Sequence, residues 1–264
     1  MGMGADLVLL AVDEKRGTIR AGKGLGPALA AAEVVDLAVA RRIEAAVNQD
    51  IKVTEPLRTG DPLLDATLAA IAAEPAGHQV GGWVRHNARE LVNRYIDTML
   101  ASGELLGRAT TPAEPGPVRY SGLRSADPAR PAALADRLAA IATAEDEVRL
   151  PDEAFAALAH AAGISDHVLS ARQRQARRRL KDLAGWFADT PRYLPDFQGL
   201  ADLGDEDLAE GDVNPGAEQP WRLAVRLAVG EAVTQATKSQ GSMIDGYGKL
   251  PWADEYSAYL QTPS

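Results

Sequence analysis

The chain has 264 residues and no cysteine, which excludes disulfides, thiolate metal sites and cysteine nucleophiles together. Its 46% hydrophobic and 25% charged residues suit a folded globular protein of one large or two small domains, and no apolar run approaches the ~18 residues that a spanning helix requires. A net charge of −9 argues against bulk attraction to nucleic acid or an anionic bilayer, so an anion site must come from locally clustered arginines.

In chain order, the apolar run 7–12 suits either a buried strand or a buried helix. Asp13 to Gly17 is turn-forming, and Thr18-Ile19-Arg20 suits a short returning strand. Gly22-Lys23-Gly24-Leu25-Gly26 lacks the phosphate-loop spacing, its Gly-Lys-Ser/Thr ending and the dinucleotide fingerprint. It reads as a flexible lead-in to the next helix. That helix, over 27–43, is expected to be central. Leu29, Val34, Leu37, Ala38 and Ile43 share one face, Pro27 takes a first-turn position, and the alanines elsewhere let neighbours approach closely. Residues 51–54 alternate like an exposed strand. Asp61 followed by Pro62 starts a helix whose apolar face is Leu63, Leu64, Leu68 and Ile71. The stretch 77–82 breaks the pattern. From Trp83, Val84, Leu91, Tyr95, Ile96 and Met99 then mark the most regular amphipathic helix, which ends at Ser102-Gly103.

Residues 107–131 are rich in Pro, Gly and Thr, with a hairpin whose clearest strand is Val118-Arg119-Tyr120. Helices are expected over 131–144, 152–162 and 166–189. The acidic stretch 190–219 reads as a long, partly disordered loop. A last amphipathic helix covers 221–238. The segment after Gly241, with Tyr247, Trp252, Tyr256 and Tyr259, is too aromatic for a free linker and is expected to dock. The expected fold is mainly α: a single helical-bundle-like domain over 1–240 with a few short β-hairpins, and an aromatic tail over 241–264.

His78, His86, His160 and His167 form no His-Glu-x-x-His pair, and no Gly-x-Ser-x-Gly elbow occurs. His160 suits the C-terminal end of a helix. Asp205-Glu206-Asp207 lie in the acidic stretch, where solvation is the simpler role. The expectation is a protein that is not an enzyme, with no catalytic residue, no metal and no cofactor.

Two basic clusters remain. Arg85 and Arg89 lie four apart on one side of a helix, with Arg94 farther along. Like charges so spaced cost an isolated helix roughly 0.2–0.5 kcal/mol, which an anionic ligand reverses. The plainer reading is local pairing, Glu90 with Arg94 and Arg89 with Asn93 or a loop carboxylate. The second cluster is Arg172, Arg174, Arg177, Arg178, Arg179 and Lys181, wrapped around an apolar face of Ala176, Leu180, Leu183 and Phe187. A solvated face is the usual meaning of such a run, and the acidic residues 202–218 are candidates to cover it.

Three successive stretches carry a resemblance. Leu7 to Val12 with Asp13 and Gly17, then Leu37-Ala38-Val39-Ala40-Arg41-Arg42-Ile43, then Thr59-Gly60-Asp61-Pro62-Leu63-Leu64-Asp65 resemble the motifs of the Golgi phosphoprotein 3 family, which has many actinobacterial members. The third stretch is the most specific, because order, spacing and neighbours all agree. The similarity continues through 89–105 and, more loosely, 155–183 and 221–238. It implies a mostly helical domain whose flat basic face docks on membranes. In eukaryotic members that face recognises phosphatidylinositol 4-phosphate, and the protein is an adaptor retaining Golgi enzymes. Arginine forks hold phosphate, and each basic residue near an anionic surface adds roughly 1 kcal/mol.

Carried over by position, the site is partly present. The family's aromatic residue after the first hairpin falls near Ala21, and the arginine at the start of the central helix falls near Ala30. Of two helix arginines three apart, the first is Arg89 and the second is Val92. The family's lipid-dipping hairpin falls on 110–123, which is proline-rich and lacks large apolar side chains. The expectation is a cytoplasmic protein, peripheral at the inner membrane face, that binds anionic phospholipid or phosphoinositide headgroups. Its partly degenerate pocket is built from Arg89, Arg85, Lys23 and Arg20. The alternative is a soluble adaptor that binds protein partners through the arginine-rich helix. No nucleic acid is expected as a partner, and a homo-oligomer is left open.

Overall fold

The computed structural model describes residues 2–46, 48–73, 78–110, 119–169, 173–189 and 219–247. The apolar run near the N-terminus is a helix, α1 (Met3–Ala11), buried along its length except at Asp6. A hairpin of β1 (Val12–Asp13) and β2 (Thr18–Ile19) follows, pairing Val12 with Ile19.

The central helix α2 (Leu25–Val39) has all but three of its 15 residues buried. It ends four residues earlier than the expected Ile43, and a non-glycine stop is the reason. Arg41 takes φ 60, the left-handed conformation that closes a helix. The Arg42 N–H then donates to the Leu37 carbonyl at 2.9 Å and the Arg41 N–H to the Ala38 carbonyl at 3.0 Å. Ile43 instead opens β3 (Ile43–Ala45), which pairs antiparallel with β4 (Ile51–Val53).

In α3 (Pro62–Ala73) the expected Asp61-Pro62 start holds. Asp61 Oδ1 accepts the N–H groups of Leu63 (3.0 Å) and Leu64 (3.4 Å), and Thr59 donates through N–H and Oγ1 to Asp65. The most specific motif of the chain is therefore a capping device, worth about 1 kcal/mol at its cap. Helix α4 (Val80–Ala101) starts three residues before Trp83 and takes Gly81 and Gly82 into its first turn, so the expected break at 77–82 is shorter. It ends at Ser102-Gly103, as the sequence suggests, with Gly103 at φ 78.

β5 (Leu105–Thr110) and β6 (Arg119–Ser125) form a third antiparallel hairpin. Residues 111–118, with Val118 and much of the 110–123 stretch expected to meet lipid, lie outside the described residues. α5 (Ala129–Thr143) and α6 (Leu150–Ala161) begin two residues before their expected starts. The single helix expected over 166–189 is two: a short α7 (Ser165–Val168) and α8 (Arg174–Asp189), with Leu169 extended at the break. α9 (Pro220–Tyr247) runs well past the expected Lys238. The acidic stretch up to residue 218 and the tail with Trp252, Tyr256 and Tyr259 lie outside the described residues.

The architecture is mainly α, as expected, with three two-stranded antiparallel sheets among the described residues. α2 sits in the middle. α9 and α4 pack along it, α6 and α1 cover further sides, and α8 closes over α6 and α9. One apolar cluster runs from Met3 to Ala236, with Leu29, Leu37, Phe155 and Phe187 fully buried in it. Truncating any of these four side chains to alanine belongs to the class of change that costs about 2–5 kcal/mol.

Candidate functional site

Two glycines decide where α2 begins relative to its neighbours. A Cβ at Gly24 would lie 2.2 Å from the Ala161 carbonyl oxygen, and one at Gly26 would lie 2.3 Å from the Ala88 carbonyl oxygen. Only glycine lets the start of α2 press against the end of α6 on one side and the backbone of α4 on the other. The Gly22 N–H ties the same segment to the Ala162 carbonyl at 2.8 Å. The stretch 22–26 is thus a packing joint and not the flexible lead-in expected of it.

Because α4 meets α2 at Ala88, the residues on either side of that contact, Arg85 and Arg89, arrive beside the first turn of α2. An open cleft of about 610 Å³ lies there, lined by Lys23, Arg85 and Arg89. Three of the four residues expected to form an anion site are thereby brought together. The fourth, Arg20, is exposed and is not part of the cleft wall. Ala21 and Val92 also line the cleft, whereas Ala30 is fully buried within α2. The N-terminus of α2 adds the positive end of a helix dipole, and its cap residue Gly24 offers no side-chain acceptor.

The three cations are not equivalent. Arg85 Nη1 pairs with Glu231 Oε1 of α9 at 3.0 Å. Arg89 and Lys23 are exposed and make no ion pair among the described residues. The local pairing expected between Glu90 and Arg94 does not form either. Arg94 Nη2 instead points at the buried Glu33, 3.6 Å from Oε1.

Glu33 is the feature that sequence reading missed, although a lone acid within the apolar run of α2 was its signal. Its Oε2 accepts from Thr67 Oγ1 at 2.8 Å, and its Oε1 has no hydrogen-bond partner among the described residues. Burial pushes its carboxyl up to about 7. Asp36, one turn on, accepts the Met3 N–H at 2.6 Å and is pushed up to about 7, again chiefly by burial. Burial and the charges of these two acids raise the Tyr95 hydroxyl well above its ordinary value.

The arginine-rich helix is α8, and its cations are partly occupied within the chain. The Arg177 guanidinium donates to the carbonyls of Asp166 (2.8 Å) and Leu169, closing the end of α7, and Arg179 donates to the Ala144 carbonyl at the end of α5. Arg174, Arg178 and Lys181 are exposed, and Arg172 lies outside the described residues. A wider opening of about 800 Å³ lies between the start of α6, α8 and α9. Its Arg226 lies 4.7 Å from the Trp186 ring, and Glu147 and Glu153 share the wall, so its charge is mixed. His160 stands in the last turn of α6, where the sequence puts it, 3.1 Å from Ser165 Oγ. Burial lowers its pKa. Among the described residues no group of three or more histidines and carboxylates gathers to hold a metal, and no helix is long and apolar enough to cross a membrane.

A family model described as Golgi phosphoprotein 3 (GPP34) matches residues 3–237, nearly the whole chain. No curated protein matches it.

Proposed function

The chain belongs to the Golgi phosphoprotein 3 family, and from that premise we propose that it is a peripheral membrane protein that holds an anionic lipid headgroup in the cleft between α2 and α4. The observation that carries the reading is Arg89. It stands where the family places a headgroup arginine, faces the same cleft as Lys23 and the start of α2, and is matched by no carboxylate among the described residues. Ala21 and Val92 replace two further family determinants in that cleft, so fewer groups touch the phosphate and the pull of Lys23 weighs more. Arg20 is exposed beside the cleft and not on its wall.

The chemistry is capture without reaction. A guanidinium fork and an ammonium group share a phosphate, and the amides at the start of α2 face the same charge. Sedimentation with vesicles of phosphatidylcholine, with and without phosphatidylinositol 4-phosphate, tests the reading. The protein should pellet with the anionic vesicles only. Lys23→Ala with Arg89→Ala should weaken binding by roughly 30-fold, from about 1 kcal/mol per cation. Pelleting that is equal on neutral vesicles, or indifferent to the double substitution, removes the headgroup site. Adaptor binding through α8 has less support, because Arg177 and Arg179 are already engaged with carbonyls of their own chain.

A further inference from the structure

The cleft between α2 and α4 offers more surface than a phosphate uses. Ile19, Ala21 and Val92 are half-buried: they pack against the core and line the cleft with apolar side chains. Arg85 is matched by Glu231 at 3.0 Å, which leaves Lys23 and Arg89 as exposed cations on the same wall. An occupant that suits the whole cleft therefore carries large apolar groups beside two negative charges.

The chain contains such a segment. Residues 248–264 lie outside the described residues, and also beyond residue 237, where the family match ends. Within them, Trp252-Ala253-Asp254-Glu255-Tyr256 sets two adjacent carboxylates between two aromatic side chains. Indole and phenol rings suit the apolar wall and stack on arginine. The two acids equal in number the two cations that no carboxylate among the described residues matches.

Reach decides between the openings described beside α9. Gln235 and Ser239 put α9 on the cleft wall. The helix then runs eight residues farther to Tyr247, about 12 Å. Asp254 follows seven residues later and extends up to about 25 Å from that end, enough to return to the cleft. Gly248 and Pro251, residue types that stop a helix and turn a chain, stand between them. The opening beside Trp186 lies at the other end of α9. Its nearest residue of that helix, Arg226, is about 31 Å from Tyr247, farther than either acid extends.

We infer that the tail of this chain occupies the cleft in the lipid-free protein and must be displaced by a headgroup. Trp252 and Tyr256 meet the apolar wall, and Asp254 and Glu255 meet Lys23 and Arg89. The contact stands on the lining and charge of the cleft; the competition rests on the headgroup reading above. Tethering supplies the tail at an effective concentration in the millimolar range, so a contact too weak to hold a free peptide suffices. A docked fraction of about 90% lowers the apparent affinity for the headgroup about tenfold.

The test uses the full chain, first without lipid. A carbodiimide joins a lysine ammonium to a carboxylate in contact with it, and mass spectrometry of the digest identifies the pair. Lys23 should be joined to Asp254 or Glu255 within one molecule, and short-chain phosphatidylinositol 4-phosphate should suppress the product. Sedimentation with the vesicles above gives a second readout. Trp252→Ala with Tyr256→Ala, which leaves the charge unchanged, should bind the anionic vesicles about tenfold more tightly than the wild type, a gain that misfolding cannot imitate. Asp254→Asn with Glu255→Gln should also gain, and Asp205→Asn with Asp207→Asn, equal in charge, should not. Absence of the Lys23 product with equal vesicle binding by wild type and tail variants overturns the inference and leaves the headgroup reading standing. A Lys23 product in a protein that ignores anionic vesicles, tail substituted or not, establishes the contact and removes the headgroup reading together with the competition. A product formed only between labelled and unlabelled molecules assigns the tail to a second copy and overturns the inference. An equal gain in the Asp205 and Asp207 control overturns it too.

Discussion

Glu33 shows how much one side chain can be asked to tolerate. A carboxylate inside an alanine-rich helix loses its water, and the Arg94 contact at 3.6 Å and the Thr67 hydroxyl only partly replace it. The carboxyl therefore titrates near 7 in the fold against 4.5 for the free group. A raised folded value means that the folded state holds the proton more tightly. Its stabilising contribution is complete below about 4.5 and is lost as the pH rises through about 7. The difference in unfolding free energy between wild type and Glu33→Gln should thus move against the wild type between pH 4.5 and 7, by on the order of 3 kcal/mol, and level off above it. Urea unfolding of both proteins at pH 4.5, 6, 7 and 8.5 measures this directly. A flat difference would show that Glu33 stays ionised in the fold. The same scale holds a backbone surprise: Arg41 ends α2 from the left-handed region, where glycine is the usual choice. With no glycine at that point, the apolar spacing runs on unbroken to Ile43.

At the scale of elements, periodicity located α3, α4, α6 and α9, because each has an apolar face that the 3.6-residue repeat exposes in sequence, while α2 was found although it is buried almost all round. It failed where a local event overrides the repeat. α1 is buried on nearly every side, so its sequence has no stripe to distinguish helix from strand. The break between α7 and α8 carries no proline or glycine at Leu169, and the arginine that closes it comes from the next helix. Glycines misled in two ways. Gly81 and Gly82 look like breakers but sit in the first turn of α4, and Gly24 and Gly26 look flexible but serve close packing. The joint between α2 and α4 is what brings Lys23 and Arg89 to one cleft. Gly26→Ala should force the two helices apart at Ala88, costing about 1–3 kcal/mol, and should weaken vesicle binding as the cations separate. Chemical denaturation and sedimentation on the same variant check both halves. Full stability with full binding would mean that the contact does not set the geometry.

On the scale of the whole molecule, the net charge of −9 describes the chain poorly as a ligand-binding object. Eight acidic residues and one arginine fall within 190–218, so most of the excess negative charge belongs to that stretch. Clustering of Arg85 and Arg89 was legible because they share one helix. Their union with Lys23 was suggested by the family resemblance, and the α2–α4 crossing accounts for it. Arg20 lies between Ile19 and Ala21 of the cleft wall but is itself exposed and not part of that wall. Glu231 was invisible, since the residue that neutralises Arg85 lies nearly 150 positions away on α9. Sequence patterns report what repeats along one element; a binding site is made where elements cross. The most direct measurement is a crystal of the full chain soaked with short-chain phosphatidylinositol 4-phosphate. The phosphate should refine within hydrogen-bonding distance of the Arg89 guanidinium and the Lys23 ammonium, at the first turn of α2. A headgroup found on α8 instead, or a cleft that stays empty at saturating ligand, would contradict it.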